Sequence, residues 1–233
     1  MEIIYHSHSF VEVVLEKWSV LIDPFITLNP TISISLDSIL EKNILAVVLT
    51  HWHSDHIGDT TIICKKTGAQ LIATFELAQY FINEKGLEKV HSMHIWGEFN
   101  FWDFSVKFVP AVHWWWIGDL KNWYVTFPAG VVLRAENKSI YHAWDTGLTY
   151  DMKLLWDYDL IDLAFLPIWG NFTMGIDDAV IATKDFIKPN MVIPIHYNTW
   201  DIIKADPNEF VDKVLDAWFN GKVLNFGETI KLD

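Results

Sequence analysis

The chain has 233 residues, 51% of them hydrophobic, which excludes a disordered protein and allows a sizeable core. A formal net charge of −13 disfavours partners that present nucleic-acid phosphate or anionic lipid. The lone cysteine, Cys64, and an N-terminus without a secretory signal pattern indicate a cytoplasmic protein, and no apolar run approaches the roughly 18 residues of a membrane span.

Strand-like and helix-like runs alternate along the whole chain. Three short β-rich runs open it, and two helices closed by glycine follow, Thr60–Thr67 before Gly68 and Phe75–Lys85 before Gly86. Further strands are predicted at 45–49, 70–73, 104–109, 130–135, 139–142, 160–166, 191–195, 223–224 and 229–232, and further helices at 148–155, 176–187 and 207–219. An aromatic loop is predicted at 114–123, and a hairpin turn at Asn137-Lys138 is predicted to join the strands at 130–135 and 139–142. Because no linker or repeat interrupts this alternation, the pattern predicts a single α/β domain over residues 1–233, with two sheets packed face to face and helices outside.

The segment 45–58, LAVVLTHWHSDHIG, leads from a predicted buried strand into a polar cluster. In an extended chain, alternate residues point the same way, so His51, His53 and Asp55 can converge, with His56 next to them. Three imidazoles and a carboxylate within six positions favour a metal site over a merely polar loop. Gly58, which follows, permits close approach of another backbone segment.

Three more candidate ligands lie just past predicted strand ends: His113, Asp145 and His196. In α/β folds, functional sites are built in the crevice outside the carboxyl ends of strands. Together with the first cluster they supply five histidines and two aspartates. A single zinc ion needs three or four ligands, so this set suits two metal ions that share one carboxylate.

The HxHxDH motif with a later His, Asp and His resembles the metallo-β-lactamase superfamily. More narrowly, LIDPF at 21–25, THWHSDHIGDT at 50–60, FTMG at 172–175 and IPIHYNT at 193–199 resemble a family of metal-dependent hydrolases related to L-ascorbate-6-phosphate lactonase. The resemblance runs over nearly the whole chain. It implies the αββα four-layer sandwich of the metallo-β-lactamase fold and two divalent metal ions, zinc or manganese.

The resemblance also implies a role for each site residue. The implied ligands are His51, His53 and His113 for one metal, Asp55, His56 and His196 for the other, and Asp145 as the bridge. His8, in an N-terminal His-Ser segment that is close to the site in lactonase-like relatives, is a candidate catalytic residue beside Asp55. Asn171, Thr173 and Tyr197 are candidate substrate contacts, with turn and packing roles equally open.

These residues favour a dinuclear hydrolase in which a metal-bound hydroxide attacks a small polar substrate, such as a lactone or ester, and Asp55 or a bound water handles the proton. A nuclease of the same fold is the alternative, which the negative charge and the lack of an added nucleic-acid-binding domain disfavour. A di-iron oxidoreductase would tend to carry Glu at position 53 and would need a flavin domain. A metal-binding protein without turnover is a further alternative. We expect a small-molecule partner, no nucleic acid and no membrane, and leave a homo-oligomer open.

Tryptophan is abundant and glycine scarce: the chain has 13 tryptophans and 11 glycines, where an average of about 7% predicts about 16 glycines. Several tryptophans stand where the resembling family has glycine or where a turn or helix end favours it: Trp18, Trp96, Trp144, Trp156, Trp169 and Trp218. Three more at 114–116 would crowd the candidate ligand His113. Because some genetic codes read UGA as glycine and others as tryptophan, we interpret many of these tryptophans as misread glycines. A genuinely tryptophan-rich protein with a reshaped pocket is the alternative.

Overall fold

The computed structural model describes residues 1–113, 116–118 and 123–232, without the side chains of 116–118 and 123–125. The described residues form two compact units. The first comprises the described residues of Met1–Gly97, Trp114–Ala129 and Phe226–Asp233, and the second comprises Glu98–His113 and Gly130–Asn225. Trp114 and Trp115, predicted to crowd His113, lie outside the described residues. The single-domain organisation stays a prediction.

Strands and helices alternate as the sequence predicts. In chain order, the strands are β1 (Glu2–Ser7), β2 (Phe10–Val14), β3 (Ser19–Ile22), β4 (Ile44–Val48), β5 (Gln70–Thr74), β6 (Val90–Met93), β7 (Glu98–Asn100), β8 (Ser105–Pro110), β9 (Trp116–Gly118), β10 (Trp123–Val125), β11 (Ala129–Ala135), β12 (Lys138–His142), β13 (Leu163–Pro167), β14 (Met191–Ile195) and β15 (Glu228–Lys231). The helices are α1 (Leu36–Leu40), α2 (Ser54–Ile57), α3 (Thr60–Thr67), α4 (Phe75–Lys85), α5 (Met152–Tyr158), α6 (Ile176–Ile181) and α7 (Pro207–Asp216). A π-helical segment, Ala182–Ile187, continues α6, and a short 3₁₀ helix covers Asp201–Ile203.

The first unit is built on a seven-stranded sheet in the order β15-β1-β2-β3-β4-β5-β6. The strands from β15 to β3 pair antiparallel, and those from β3 to β6 pair parallel. Its apolar core joins strand residues such as Val47 and Leu71 to Ile63 of α3 and Phe81 of α4. Cys64 packs in the same core, as predicted, and burial raises the pKa of its thiol to about 12. The pair β9 and β10 also belongs to this unit.

The second unit is built on a six-stranded sheet in the order β14-β13-β12-β11-β8-β7. Strands β12, β13 and β14 are parallel neighbours, while β11 and β12 form an antiparallel hairpin. Its core joins Ala164 and Val192 of the sheet to Leu155 of α5, Ala179 of α6 and Phe210 of α7. Each unit therefore combines one main sheet with its own helices, which confirms the predicted α/β class.

Four local predictions are wrong. The hairpin turn expected at Asn137-Lys138 is formed by Glu136 and Asn137, which both have the positive φ, 50° and 60°, that a two-residue hairpin loop requires. The loop expected at 114–123 contains the paired strands β9 and β10. Trp156, expected at a helix end, lies inside α5. The strand expected at 223–224 is not formed. Among the described residues, no helix has both the length and the apolar character needed to cross a membrane.

A buried carboxylate links the first three strands to the segment before β4. Glu12 on β2 is fully buried and accepts hydrogen bonds from Ser19 Oγ at 2.6 Å and Lys42 Nζ at 2.6 Å, and it lies 2.8 Å from His6 Nε2. Burial alone would raise the pKa of Glu12, but the hydrogen bonds with His6, Lys42 and Ser19 outweigh it and lower the pKa from 4.5 to about 2.

We expect the Glu12→Gln variant to be less stable than the parent at neutral pH. We also expect its free energy of unfolding to fall less steeply as the pH is lowered. Because the folded pKa of Glu12 lies below its usual value, its contribution is complete above pH 4.5 and disappears as the pH falls towards 2. That contribution is on the order of 3 kcal/mol. Urea unfolding between pH 2 and 7 measures it, with Glu16→Gln at an exposed position as the control. Equal pH dependence in Glu12→Gln and the parent would contradict this assignment.

Candidate metal centre

The polar cluster after β4 occupies a sharp bend in the chain. His51 and His53 follow the strand, His53 in extended conformation, and Asp55 and His56 lie in α2, a single helical turn. Gly58 ends this helix at φ 36°. A Cβ atom at Gly58 would lie 2.4 Å from the Pro24 carbonyl oxygen, so the backbone packs there at a distance that only glycine allows. The predicted close approach at Gly58 is confirmed.

The side chains of this cluster present their ligand atoms to one another. His51 Nε2 lies 2.8 Å from His53 Nδ1. His8 Nε2 lies 3.1 Å from Asp55 Oδ2, and His56 Nε2 lies 3.9 Å from the same oxygen. His8, Asp55 and His56 can each offer one ligand atom, all within 4.8 Å of one another. His8, predicted near the site from the N-terminal segment, thus lies against the HxHxDH cluster.

Asp23, a residue that the sequence analysis did not identify, is buried beside this cluster. Its carboxylate accepts hydrogen bonds from the Thr50 backbone N–H at 3.0 Å and the Thr50 hydroxyl at 2.6 Å. It also lies 2.7 Å from His56 Nδ1. A carboxylate can only accept, so Nδ1 donates, and the lone pair of the His56 imidazole is then on Nε2, where a metal would bind it. The position of Asp23 directly after β3 is the signal that could have found it.

In the second unit, three candidate ligands follow strand ends. Asp145 comes three residues after β12 and His196 directly after β14, and these strands flank β13 in parallel order. Because the carboxyl ends of parallel strands meet at one edge of a sheet, the two side chains converge there. Asp145 Oδ1 lies 3.0 Å from His196 Nε2, and Asp145 Oδ2 lies 3.6 Å from His113 Nε2. One buried carboxylate therefore faces two imidazoles, one on each oxygen.

Comparison with known proteins identifies the family of this chain. The model of the beta-lactamase superfamily domain matches residues 19–197. A UPF0173 metal-dependent hydrolase of Bacillus cereus is 43% identical over 235 residues, covering 100% of both chains. The chain belongs to the metallo-β-lactamase superfamily. It is a metal-dependent hydrolase of that superfamily.

Two solved structures have a similar fold. Igni18, a metallo hydrolase from the hyperthermophilic archaeon Ignicoccus hospitalis, is 33% identical and superposes with a TM-score of 0.88, covering 100% of this chain and 98% of its own. A possible metal-dependent hydrolase from Veillonella parvula is 19% identical, with a TM-score of 0.77 and coverage of 100% and 99%, and shows the fold alone. The predicted metallo-β-lactamase fold is confirmed.

The donor atoms of both units fit a divalent metal ion. They are imidazole nitrogens and carboxylate oxygens, a combination that binds zinc and manganese. The only thiol, on Cys64, is buried in the core of the first unit with a raised pKa, so a cysteine-ligated site is excluded. A histidine that binds a metal ion commonly donates its other ring N–H to a carboxylate, which fixes the orientation of the ring. The hydrogen bond from His56 Nδ1 to Asp23 fits this role.

The candidate substrate residues have local structural roles in the second unit. Asn171 is exposed at φ 57°, and the Thr173 hydroxyl donates to the Met174 carbonyl oxygen at 3.1 Å. Tyr197 packs in the apolar core, where burial raises the pKa of its hydroxyl to about 12. Their contact with substrate stays a prediction. Of the remaining histidines, His94 is exposed and His91 is partly buried, and neither belongs to a ligand cluster among the described residues.

We expect Gly58→Ala to destabilise this metallo-β-lactamase fold because a Cβ atom there would clash with the backbone at Pro24 and Phe25. The expected loss is at least about 2 kcal/mol in the free energy of unfolding. Gly147→Ala is the matched control, since a Cβ atom at Gly147 meets nothing within 4 Å, and it should change stability by less than about 0.5 kcal/mol. Thermal unfolding measures both variants. Equal melting temperatures would show that the contact at Gly58 is not tight.

Proposed function

We propose that this metal-dependent hydrolase binds two divalent metal ions, zinc or manganese, and hydrolyses a small polar substrate such as a lactone or ester. The observation that carries the proposal is the Asp145 carboxylate, whose two oxygens face His113 Nε2 and His196 Nε2 separately. A carboxylate in this position suits a bridge between two cations, each with its own imidazole. The lactone or ester class rests on the resemblance to lactonase-related hydrolases.

The proposed ligands divide between the two ions as the family resemblance implies. They are His51, His53 and His113 for the first ion, Asp55, His56 and His196 for the second, and Asp145 for both. Within the first unit, the short contact of His51 Nε2 with His53 Nδ1 supports their assignment to one ion. Asp55 and His56 both lie on α2, which supports their assignment to the second ion.

The chemistry of the reaction follows from these groups. When bound, a pair of divalent ions lowers the pKa of water and polarises a carbonyl oxygen. Asp55 is the proposed group that handles the proton at its Oδ2 atom. His8 Nε2, 3.1 Å from that oxygen, holds the carboxylate in place and is the proposed second catalytic residue.

The charge of the chain supports a small-molecule substrate over a nucleic acid. A formal net charge of −13 repels phosphate backbones, so we propose no nucleic-acid partner and no membrane partner. We also propose a cytoplasmic location on the basis of the lone cysteine, and leave a homo-oligomer open. Asn171, Thr173 and Tyr197 remain proposed substrate contacts.

We expect two metal ions per chain in protein purified without chelator, measured by elemental analysis. Asp145→Ala should lower the occupancy of both sites together, because the bridging carboxylate belongs to both. A ratio near one that persists after addition of zinc or manganese would contradict the dinuclear proposal. Loss of only one ion in Asp145→Ala would contradict the bridging role.

We expect His113→Ala and His196→Ala each to lower hydrolysis of a lactone and ester panel by more than about 100-fold while the fold survives. His91→Ala and His94→Ala are the matched controls, and both should retain nearly full activity. Circular dichroism checks that all four variants are folded. Equal losses in all four variants would indicate general destabilisation instead of catalysis. Turnover of single-stranded RNA in place of the panel would indicate a nuclease.

A further inference from the structure

Four tryptophans adopt a backbone conformation that favours glycine. Trp96, Trp102, Trp144 and Trp218 have φ of 64°, 77°, 48° and 65°. Only a few per cent of residues other than glycine have positive φ, and for bulky side chains this is a genuine outlier. None of the 15 phenylalanines, all of which the structure describes, is among the positive-φ residues. The conformation is therefore a property of these tryptophan positions and not of aromatic residues in this fold.

Trp218 occupies the position after a helix where glycine is most favoured. Helix α7 ends at Asp216, and the Phe219 N–H donates to the Val214 carbonyl oxygen at 3.1 Å, while the Trp218 N–H donates to the Leu215 carbonyl oxygen at 2.9 Å. These two bonds define a Schellman motif with Trp218 at its left-handed residue. Helices α3 and α4 end on Gly68 and Gly86 at φ 75° and 64°, nearly the φ of Trp218. The indole of Trp218 is 95% exposed, so no packing compensates for the strain.

Trp96 occupies the corresponding position in a tight turn. The Gly97 N–H donates to the His94 carbonyl oxygen at 2.8 Å, which closes a four-residue turn with Ile95 and Trp96 at its centre. Only Trp96 of these central residues has positive φ, which is the requirement of the third residue of a type II turn, where glycine is the usual residue. Trp102 lies in the loop between β7 and β8 and is 97% exposed.

Trp144 lies next to two of the proposed metal ligands. It is fully buried at φ 48°, directly before Asp145, and its indole ring meets the His113 ring edge-on at 5.3 Å between centroids. The backbone turns here from the end of β12 to the proposed bridging carboxylate. Glycine would allow this turn without strain and would leave the space beside His113 open.

We propose that positions 96, 102, 144 and 218 carry glycine in the protein that its own cell makes. Their codons are UGA, which that cell reads as glycine and which a genetic code that assigns UGA to tryptophan translates as tryptophan. Glycine at these positions relieves backbone strain at a helix end, a turn, a hairpin loop and a metal-ligand segment. The proposal concerns the chemical identity of four residues and is independent of the proposed function.

Peptide sequencing by mass spectrometry of the protein purified from its native cells tests the proposal directly. We expect glycine at 96, 102, 144 and 218, with UGA at each of the four codons. Tryptophan in a native peptide, or a UGG codon, overturns the proposal for that position.

A stability comparison in recombinant protein tests the physical reason. Trp218→Gly should raise the melting temperature by roughly 2–4 °C over Trp218→Ala, because alanine at this left-handed position keeps the Cβ strain and glycine does not. Trp200→Gly paired with Trp200→Ala is the matched control at φ −136°, where glycine should give no gain over alanine. A Trp218→Gly variant no more stable than Trp218→Ala would overturn the argument from strain.

Discussion

The Asp145 carboxylate faces one imidazole on each of its two oxygens, and the proposed metal centre depends on this contact. Its two oxygens face two imidazole nitrogens, at 3.0 Å on His196 and 3.6 Å on His113. Imidazole nitrogens and carboxylate oxygens are ligand atoms for divalent metal ions, and a carboxylate with one imidazole on each oxygen suits a bridge between two ions, which supports the proposed dinuclear site. The parallel order of β12, β13 and β14 creates this arrangement, because it brings the residues after β12 and β14 to one edge of the sheet.

The positions of the side chains in the HxHxDH cluster depend on tertiary contacts of helix α2. A helix of one turn has little stability of its own, so α2 needs tertiary support to hold Asp55 and His56. Asp23, directly after β3, supplies this support by accepting hydrogen bonds from Thr50 and His56, and Gly58 lets the helix end pack against Pro24. The positions of the candidate ligands in this unit thus depend on the buried Asp23 carboxylate and on the absence of a side chain at Gly58.

Many of the helix ends and candidate site residues could be predicted from the sequence, because their local patterns are strong. Gly68 and Gly86 mark helix ends because glycine tolerates left-handed backbone, and both helices were predicted with the observed bounds. The residues that follow strand ends identified the candidate ligands. The position of Asp23 directly after β3 marks it as a residue near the site, but its hydrogen-bond partners could not be predicted, because they lie 27 and 33 residues away in sequence. The helix predicted at 207–219 ends earlier, at Asp216, because the chain turns at Trp218, whose φ is 65°.

Anomalous diffraction at the metal absorption edge, from crystals of the protein purified without chelator, tests the proposed dinuclear centre directly. We expect two anomalous peaks that flank the Asp145 carboxylate, one bound to His113 Nε2 and the other to His196 Nε2. A single peak that contacts only one Asp145 oxygen, under conditions of excess zinc or manganese, would contradict the proposed dinuclear centre.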